Sequence, residues 1–379
     1  MIKNDQRLCG CIKIKLLYGS TLVNVSKEIY FNTAAAGLIP EKYSNALKPH
    51  FKALAKDAAA ENFGYFEKNL PPLRSLLATF CDAEIEEIAL VPNFSFALST
   101  LVVSLRGKKR VLMYEKDYPS LMDPFLVNGF EIHKFADTDG YNITLESIQL
   151  ELLQHKIEIL AVSHVQWITG FKLDLAALGK FCRKHNIIFI VDATQSMGGM
   201  QLSFKKTMAD VLITSNYKWM NAGFGSGIMC VRREFLEQFP PKIRGNTGRM
   251  IYGKKWDDNS NILGYEPGHH NITGLLMLEE ALKDKLHTGM EQIERHNLKL
   301  TEHFVTGIPQ SEKVLIGPES MKNRSSIIAL KGGELLYNHL NKRGFRISMR
   351  VGVVRVSFHY HNTIKEVDDL MVAVAGFYL

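Results

Sequence analysis

The sequence predicts an α/β protein: a large unit built on a mostly parallel seven-stranded sheet, followed by a smaller α+β unit. Three observations predict it. Seven apolar runs of strand length fall between residues 87 and 231. Amphipathic helical stretches separate several of them. After about residue 260 this alternation gives way to long helical patterns and a few isolated strands. Continuous apolar runs suit strands covered on both faces, with the helices as crossovers. A chain of 379 residues, 46% hydrophobic, is long enough for two units, because one core seldom grows beyond roughly 250–300 residues. The expected division is an arm over 1–29, a large domain over 30–260 and a small domain over 261–379, on which the N-terminal segment could pack.

In chain order, residues 30–40 read as a short extended stretch ending in a turn. A helical pattern then runs to about residue 82, interrupted at Pro71-Pro72. The strand candidates are 87–92, 110–115, 131–136, 158–165, 187–193, 210–215 and 227–231. Helical patterns occupy 94–105, 144–156 and 175–186. Beyond them come a long helical stretch (271–305), a strand at 325–330, a helix at 333–343, two further strands (RISM and VVRVSF) and a last helix from Thr363.

Composition excludes several classes. The formal charge is +7, but the basic residues are dispersed, and the densest cluster, Lys108-Lys109-Arg110, reads as a solvated turn before a strand. No nucleic-acid partner is expected. No apolar run approaches the ~20 residues that span a bilayer, and the opening segment lacks the core of a secretory signal, so a cytoplasmic location without membrane contact is expected. Five cysteines are scattered; Cys9 and Cys11 form a lone C-x-C pair, and Cys182 and Cys230 sit in apolar patterns, so neither a metal site nor a disulfide framework is expected. The glycines of GFGSG (223–227) precede a strand, the wrong order for a dinucleotide loop, and no Walker motif is present.

The chemistry concentrates in IVDATQSMG (190–198) and TSNYKWMNAGFGSG (214–227). A buried strand delivers Asp192 at its carboxyl end, where sites in open α/β sheets form. The next strand ends in a polar turn carrying Lys218. Taken singly, these read as a helix-capping aspartate and a surface lysine. Together they match what a pyridoxal-phosphate site requires: a carboxylate that keeps the pyridine nitrogen protonated and a lysine that reaches the aldehyde. Desolvation would lower that lysine's pKa and favour imine chemistry. Separately, PNFSFAL (92–98) is a loop entering a helix, so the amides of Ser95 and Phe96, with the Ser95 hydroxyl, would form an anion site. Asn93 or Ser95 capping the helix uses the same geometry.

With SHVQWITG (163–170), VDATQS (191–196), SNYK (215–218), YEPGHHN (265–271) and VVRVSFHYHNT (353–363) in this order, the chain from about residue 30 to its end resembles the class V aminotransferase superfamily of fold-type I pyridoxal-phosphate enzymes. That superfamily includes cysteine desulfurases, isopenicillin-epimerase-like proteins and kynureninases. The resemblance implies Lys218 as the Schiff-base lysine, Asp192 as the pyridinium partner and Gln195 beside the cofactor's phenolic oxygen. It places His164 on that same oxygen, a structural His–Asp contact being the alternative. Ser215 and Tyr217 match further phosphate ligands. Tyr118, in KDYPS, matches the aromatic residue stacked on the ring, or a packing residue in a turn. Arg355 matches the arginine that grips the substrate carboxylate, with Arg350 as a helper. His269 stands where relatives carry a threonine that reaches the partner subunit's phosphate, so a homodimer with shared sites is implied.

The resemblance also bears on the reaction. Desulfurases use a cysteine shortly upstream of the carboxylate arginine, and no cysteine lies between Arg324 and Arg355. An aminotransferase acting on an amino acid or amine is expected, with a kynureninase-like hydrolase, an epimerase or a lyase as the alternative. Tyr217, Trp219 and Asn221 are locally kynureninase-like. From another class, a non-catalytic pyridoxal-phosphate-binding scaffold would keep the fold without the reaction. Arg244, Arg249, Tyr252 and Trp256 are loop candidates for contacts to the substrate side chain.

Overall fold

The computed structural model describes residues 28–243, 245, 262–308 and 314–378. Most of the expected arm, and with it Cys9 and Cys11, lies outside the described residues, as do Arg244, Arg249, Tyr252 and Trp256.

The chain enters through β1 (Ile29–Tyr30), then α1 (Glu41–Gly64) and α2 (Leu70–Cys81). There follow β2 (Ile88–Val91), α3 (Phe94–Val102), β3 (Arg110–Tyr114), α4 (Pro119–Val127), β4 (Glu131–Phe135), α5 (Leu145–Gln154), β5 (Ile159–Ser163), α6 (Leu175–Lys184), β6 (Ile188–Asp192), the short α7 (Phe204–Thr207), β7 (Val211–Ser215) and β8 (Gly227–Val231). The seven strands β2–β8 form one sheet in the order β2-β8-β7-β6-β5-β3-β4. β8 runs antiparallel to both neighbours, and the other pairs are parallel. Every residue of β5, β6, β7 and β8 is buried, which is why these strands read as unbroken apolar runs. Burying one such Ile, Leu or Val side chain contributes about 1.5–3 kcal/mol. Polar caps start the helices: Thr144, Asp174 and Ser203 each accept the amide three residues on.

After α8 (Arg233–Gln238) the described chain resumes before α9 (Ile272–Thr288) and α10 (Met290–Gly307). A second, antiparallel sheet has the order β12-β13-β10-β9, from β9 (Leu315–Ile316), β10 (Ile327–Leu330), β12 (Ser348–Arg350) and β13 (Val353–Ser357). α11 (Gly333–Lys342), α10 and α12 (Ile364–Tyr378) close its core. β1 pairs in parallel with β11 (Phe345–Arg346), and Phe31 lies between Phe345 and Phe358, so the N-terminal strand joins this second core.

Three local expectations change. The long stretch 271–305 is two helices broken at Gly289, whose φ of +85° favours glycine. Pro71 and Pro72 do not interrupt the helical run; they occupy the first turn of α2, where the missing N–H has no helical partner, and the irregularities are a kink in α1 at Asp57, whose φ of −156° and ψ of 92° are not helical, and a π turn at Tyr65–Asn69. α4 goes unpredicted because Pro119 and Pro124 hide it, although Pro119 sits at its start. The face of α9 carrying Ile272, Leu275, Leu278 and Leu282 packs into the core of the seven-stranded sheet. Among the described residues no helix is long and apolar enough to cross a membrane.

Candidate active site

The sheet register brings the chemistry to one edge. Ser163 pairs with Asp192, and Asp192 with Ile213, so the carboxyl ends of β5, β6 and β7 lie side by side. Above them is a cavity of about 470 Å³ whose wall includes Asp192, Gln195, Ser215, Tyr217 and Lys218 from these ends, Ser95 from α3 and Tyr118 at the entry to α4.

Lys218 is 7% exposed. Its Nζ lies 5.6 Å from the centroids of both the Tyr118 and Tyr217 rings. Burial brings its pKa down to about 8; Asp192 opposes that shift, and the charges of Arg355 and Arg350 add to it. Asp192 accepts the amide of Thr194 at 2.8 Å, and burial raises its carboxyl to about 6 against the hydrogen bonds from the Thr194 hydroxyl and amide and the charge of Lys218. The lysine is therefore close to releasing its proton at neutral pH, and the carboxylate lacks a full counter-charge.

The loop bearing Lys218 is seated on the N-terminal segment. Gly37 donates its amide to the Tyr217 carbonyl at 2.7 Å. A β-carbon on Gly37 would come 2.0 Å from the Lys218 carbonyl oxygen, so this approach requires glycine. Gln195 donates to the Ala34 carbonyl at 3.1 Å, and its Oε1 accepts the Trp219 indole N–H at 2.8 Å. An amide NH2 carries two hydrogens, so one remains for an oxygen in the cavity.

At the start of α3 the two uses of a helix N-terminus divide between neighbouring amides. Asn93 Oδ1 takes the Phe96 amide and Ser215 Oγ takes the Phe94 amide, each at 2.8 Å. The Phe96 amide is thus spent on the cap, and the Ser95 amide, the Ser95 hydroxyl and the Ser215 hydroxyl hydrogen are left to meet an anion. Tyr217 stacks on Phe224 at 4.8 Å.

Arg355 is buried on β13, and Nη1 donates to the Trp167 carbonyl at 2.6 Å while Nε has no partner among the described residues. Burial, then Arg350, lowers its pKa to about 9. Arg355 does not itself line the cavity; it lies behind Trp167, which does, and its charge acts on Lys218.

Two candidates lie elsewhere. Ser163 faces the cavity, and the next residue, His164, lines a separate one with Lys172 and Met200. Burial lowers the His164 imidazole to about 3. His269 is exposed, its ring 6.3 Å from that of Phe66. Sequence reasoning assigned no role to Asp117, which accepts the Ser163 hydroxyl and amide and the Tyr118 amide, or to Thr194, whose hydroxyl accepts the Ser215 amide. The Asp-Tyr-Pro spacing before a helix was the available signal for the first.

A buried lysine of lowered pKa between two aromatic rings, an under-compensated carboxylate, an anion cradle and an arginine with free donors fit pyridoxal phosphate and an amino acid. Comparison with known proteins agrees. The family model described as aminotransferase class-V matches residues 29–370. A probable cysteine desulfurase of Pyrococcus abyssi is 25% identical over 90% of this chain and 92% of its own. A kynureninase of Pseudomonas fluorescens is 24% identical over 79% of this chain and 73% of its own. Among solved structures, a cystine C–S lyase in complex with its product cysteine persulfide has the same fold, with a TM-score of 0.80 at 18% identity over 93% of this chain and 98% of that one.

Proposed function

The chain belongs to the aminotransferase class-V family, a family of pyridoxal-phosphate enzymes, and we propose that it works at the α-carbon of an amino acid as an aminotransferase. The observation that carries this reading is the Lys218 amine, buried between the Tyr118 and Tyr217 rings on the cavity that Asp192 also faces.

When bound, the cofactor supplies an aldehyde for amines and an electron-withdrawing ring that stabilises negative charge at the α-carbon. The protein's residues do the rest. Asp192 keeps the proton on the ring nitrogen. The Ser95 amide and the Ser95 and Ser215 hydroxyls would hold the phosphate, Tyr118 would pack on the ring, and the spare N–H of Gln195 would serve the phenolic oxygen. Arg355 turns its free donors to the substrate carboxylate, because a guanidinium fork matches a carboxylate with two parallel bonds. Lys218, its pKa lowered to about 8, would take the α-proton and return it to the cofactor side for transamination.

The persulfide chemistry of a desulfurase requires a thiol. The described cysteines Cys81, Cys182 and Cys230 are buried in the core, and 324–355 holds none. This same observation favours β-elimination as the second reading, since Lys218 can start it by the same proton removal with no thiol. Trp219 and Asn221 do not line the cavity, so of the kynureninase-like trio Tyr217 alone lines it.

Absorbance tests the first step: holoenzyme should show a band near ~410–430 nm that Lys218→Ala lacks. Single amino acids with a 2-oxo acid acceptor then decide the reaction. Acceptor-dependent formation of a new amino acid supports transamination; ammonia release without acceptor supports elimination. We further propose a cytosolic homodimer, in which a second copy covers Phe224, 71% exposed at the cavity wall; a monomer by light scattering would contradict it.

A further inference from the structure

The turn after Lys218 is held by a buried polar cluster with no part in the chemistry above. Asn221, three residues on, is 1% exposed and has φ +61°. Its Oδ1 accepts from Lys285 Nζ at 3.3 Å and from His359 Nε2 at 2.9 Å, and its Nδ2 donates to the Leu38 carbonyl at 2.9 Å. These partners come from α9, from the chain just after β13 and from the N-terminal segment.

The partners also fix the protons. His359 Nε2 faces two oxygens, Asn221 Oδ1 and the Trp219 carbonyl at 3.0 Å, so it carries the hydrogen. Nδ1 is then an acceptor and meets Asn297 Nδ2 at 3.3 Å, whose other hydrogen goes to the Gly199 carbonyl at 2.8 Å. Lys285 Nζ donates also to the Gly198 carbonyl at 3.1 Å. The Trp219 carbonyl is thus bonded from this side, while its indole holds Gln195 on the other.

Lys285 is 1% exposed and forms no ion pair among the described residues. Its Nζ lies 4.7 Å from the Tyr360 ring. Asp284, next to it on α9, is engaged with Lys42, Tyr43 and Tyr360; His359 and His361 are the other titratable groups facing it. Burial lowers its pKa to about 7. A buried amine that forms no ion pair with a carboxylate costs stability, so an apolar side chain would serve a purely structural role better.

We propose that Asn221 is a positioning residue, locked by Lys285 and His359, that keeps the Lys218 amine and the Gln195 amide in register with each other. This rests on the reading that Lys218 carries the cofactor. Asn221→Gly keeps the positive φ and removes the hub; Lys285→Met keeps the length and removes the donor. Both holoenzymes are compared with wild type by the pH midpoint of the ~410–430 nm band, by kcat and KM, and by thermal midpoint. The expected result is a shifted pH midpoint and kcat lower by about 10- to 100-fold with KM little changed. Lys285→Met should achieve this with a thermal midpoint at or above wild type. A band and kcat unchanged in both variants overturn the proposal, as does a loss of activity that merely follows a loss of thermal stability. A wild-type protein without the band overturns the cofactor reading and this proposal together.

Discussion

Two buried charge clusters in this molecule are built on opposite principles. In the YEPGHHN segment, Glu266 accepts from Arg74 at 2.5 Å, from the Leu90 amide at 2.8 Å and from His270 at 2.7 Å, and Arg74 reaches the Ile88 carbonyl at 3.1 Å. Opposite charges meet, and Glu266 stays ionised to about pH 2 because Arg74 and His270 outweigh its burial. The cavity cluster keeps its charges apart. Among the described residues Lys218 is paired with no carboxylate, Asp192 is held by Thr194 alone, through its amide and its hydroxyl, and Arg355 keeps an unused Nε. Their pKa values move toward neutrality, to about 8, 6 and 9. Compensated charges hold the edge strand β2 in place; uncompensated ones are ready for a ligand that brings its own charge.

The contrast can be broken most directly at its two centres. Glu266→Ala removes the buried carboxylate that accepts from Arg74, His270 and the Leu90 amide and should cost about 3–5 kcal/mol in denaturant unfolding. Lys218→Met should cost the apo-protein no more than roughly 1 kcal/mol; a loss as large as that at Glu266 would erase the distinction. Next in size is cofactor affinity. Asp192 must be ionised to hold the ring proton, so wild-type affinity should fall as pH drops below about 6, by about tenfold per pH unit. Asp192→Asn should bind weakly at every pH and lack that slope in equilibrium titration.

A smaller effect is expected at Arg355. Loss of its guanidinium should raise KM for the amino acid by about 10- to 100-fold, measured against an amine that lacks the carboxylate. The effect smallest per pH unit sharpens the comparison at a third buried charge. The folded protein releases the Lys285 proton near pH 7, whereas the unfolded chain holds it to about 10.4. Stability should therefore rise with pH across that window by at most about 1.4 kcal/mol per unit. Lys285→Met should remove this increment from the denaturant midpoints.

Much of the fold was legible because both faces of the central strands are covered, which leaves apolar runs that no helix pattern imitates. The cavity residues Asp192, Gln195, Ser215, Tyr217 and Lys218 were legible because they follow strand ends directly. His164 is one residue past Ser163, and the alternation of a strand sends it to the other side. Asn221 and Lys285 are 64 residues apart, and no local pattern links them. Gly37 shows the same limit, since the backbone it must clear belongs to Lys218.

The central claim concerns which amine meets the aldehyde, and the molecule supplies its own competitor, because Lys285 is also buried with a pKa near neutrality. Borohydride reduction of the pyridoxal-phosphate-loaded protein, followed by peptide mass mapping, decides between them. The account predicts a phosphopyridoxyl group on the peptide containing Lys218. Its appearance on Lys285 or another lysine instead, or on no lysine, would contradict it.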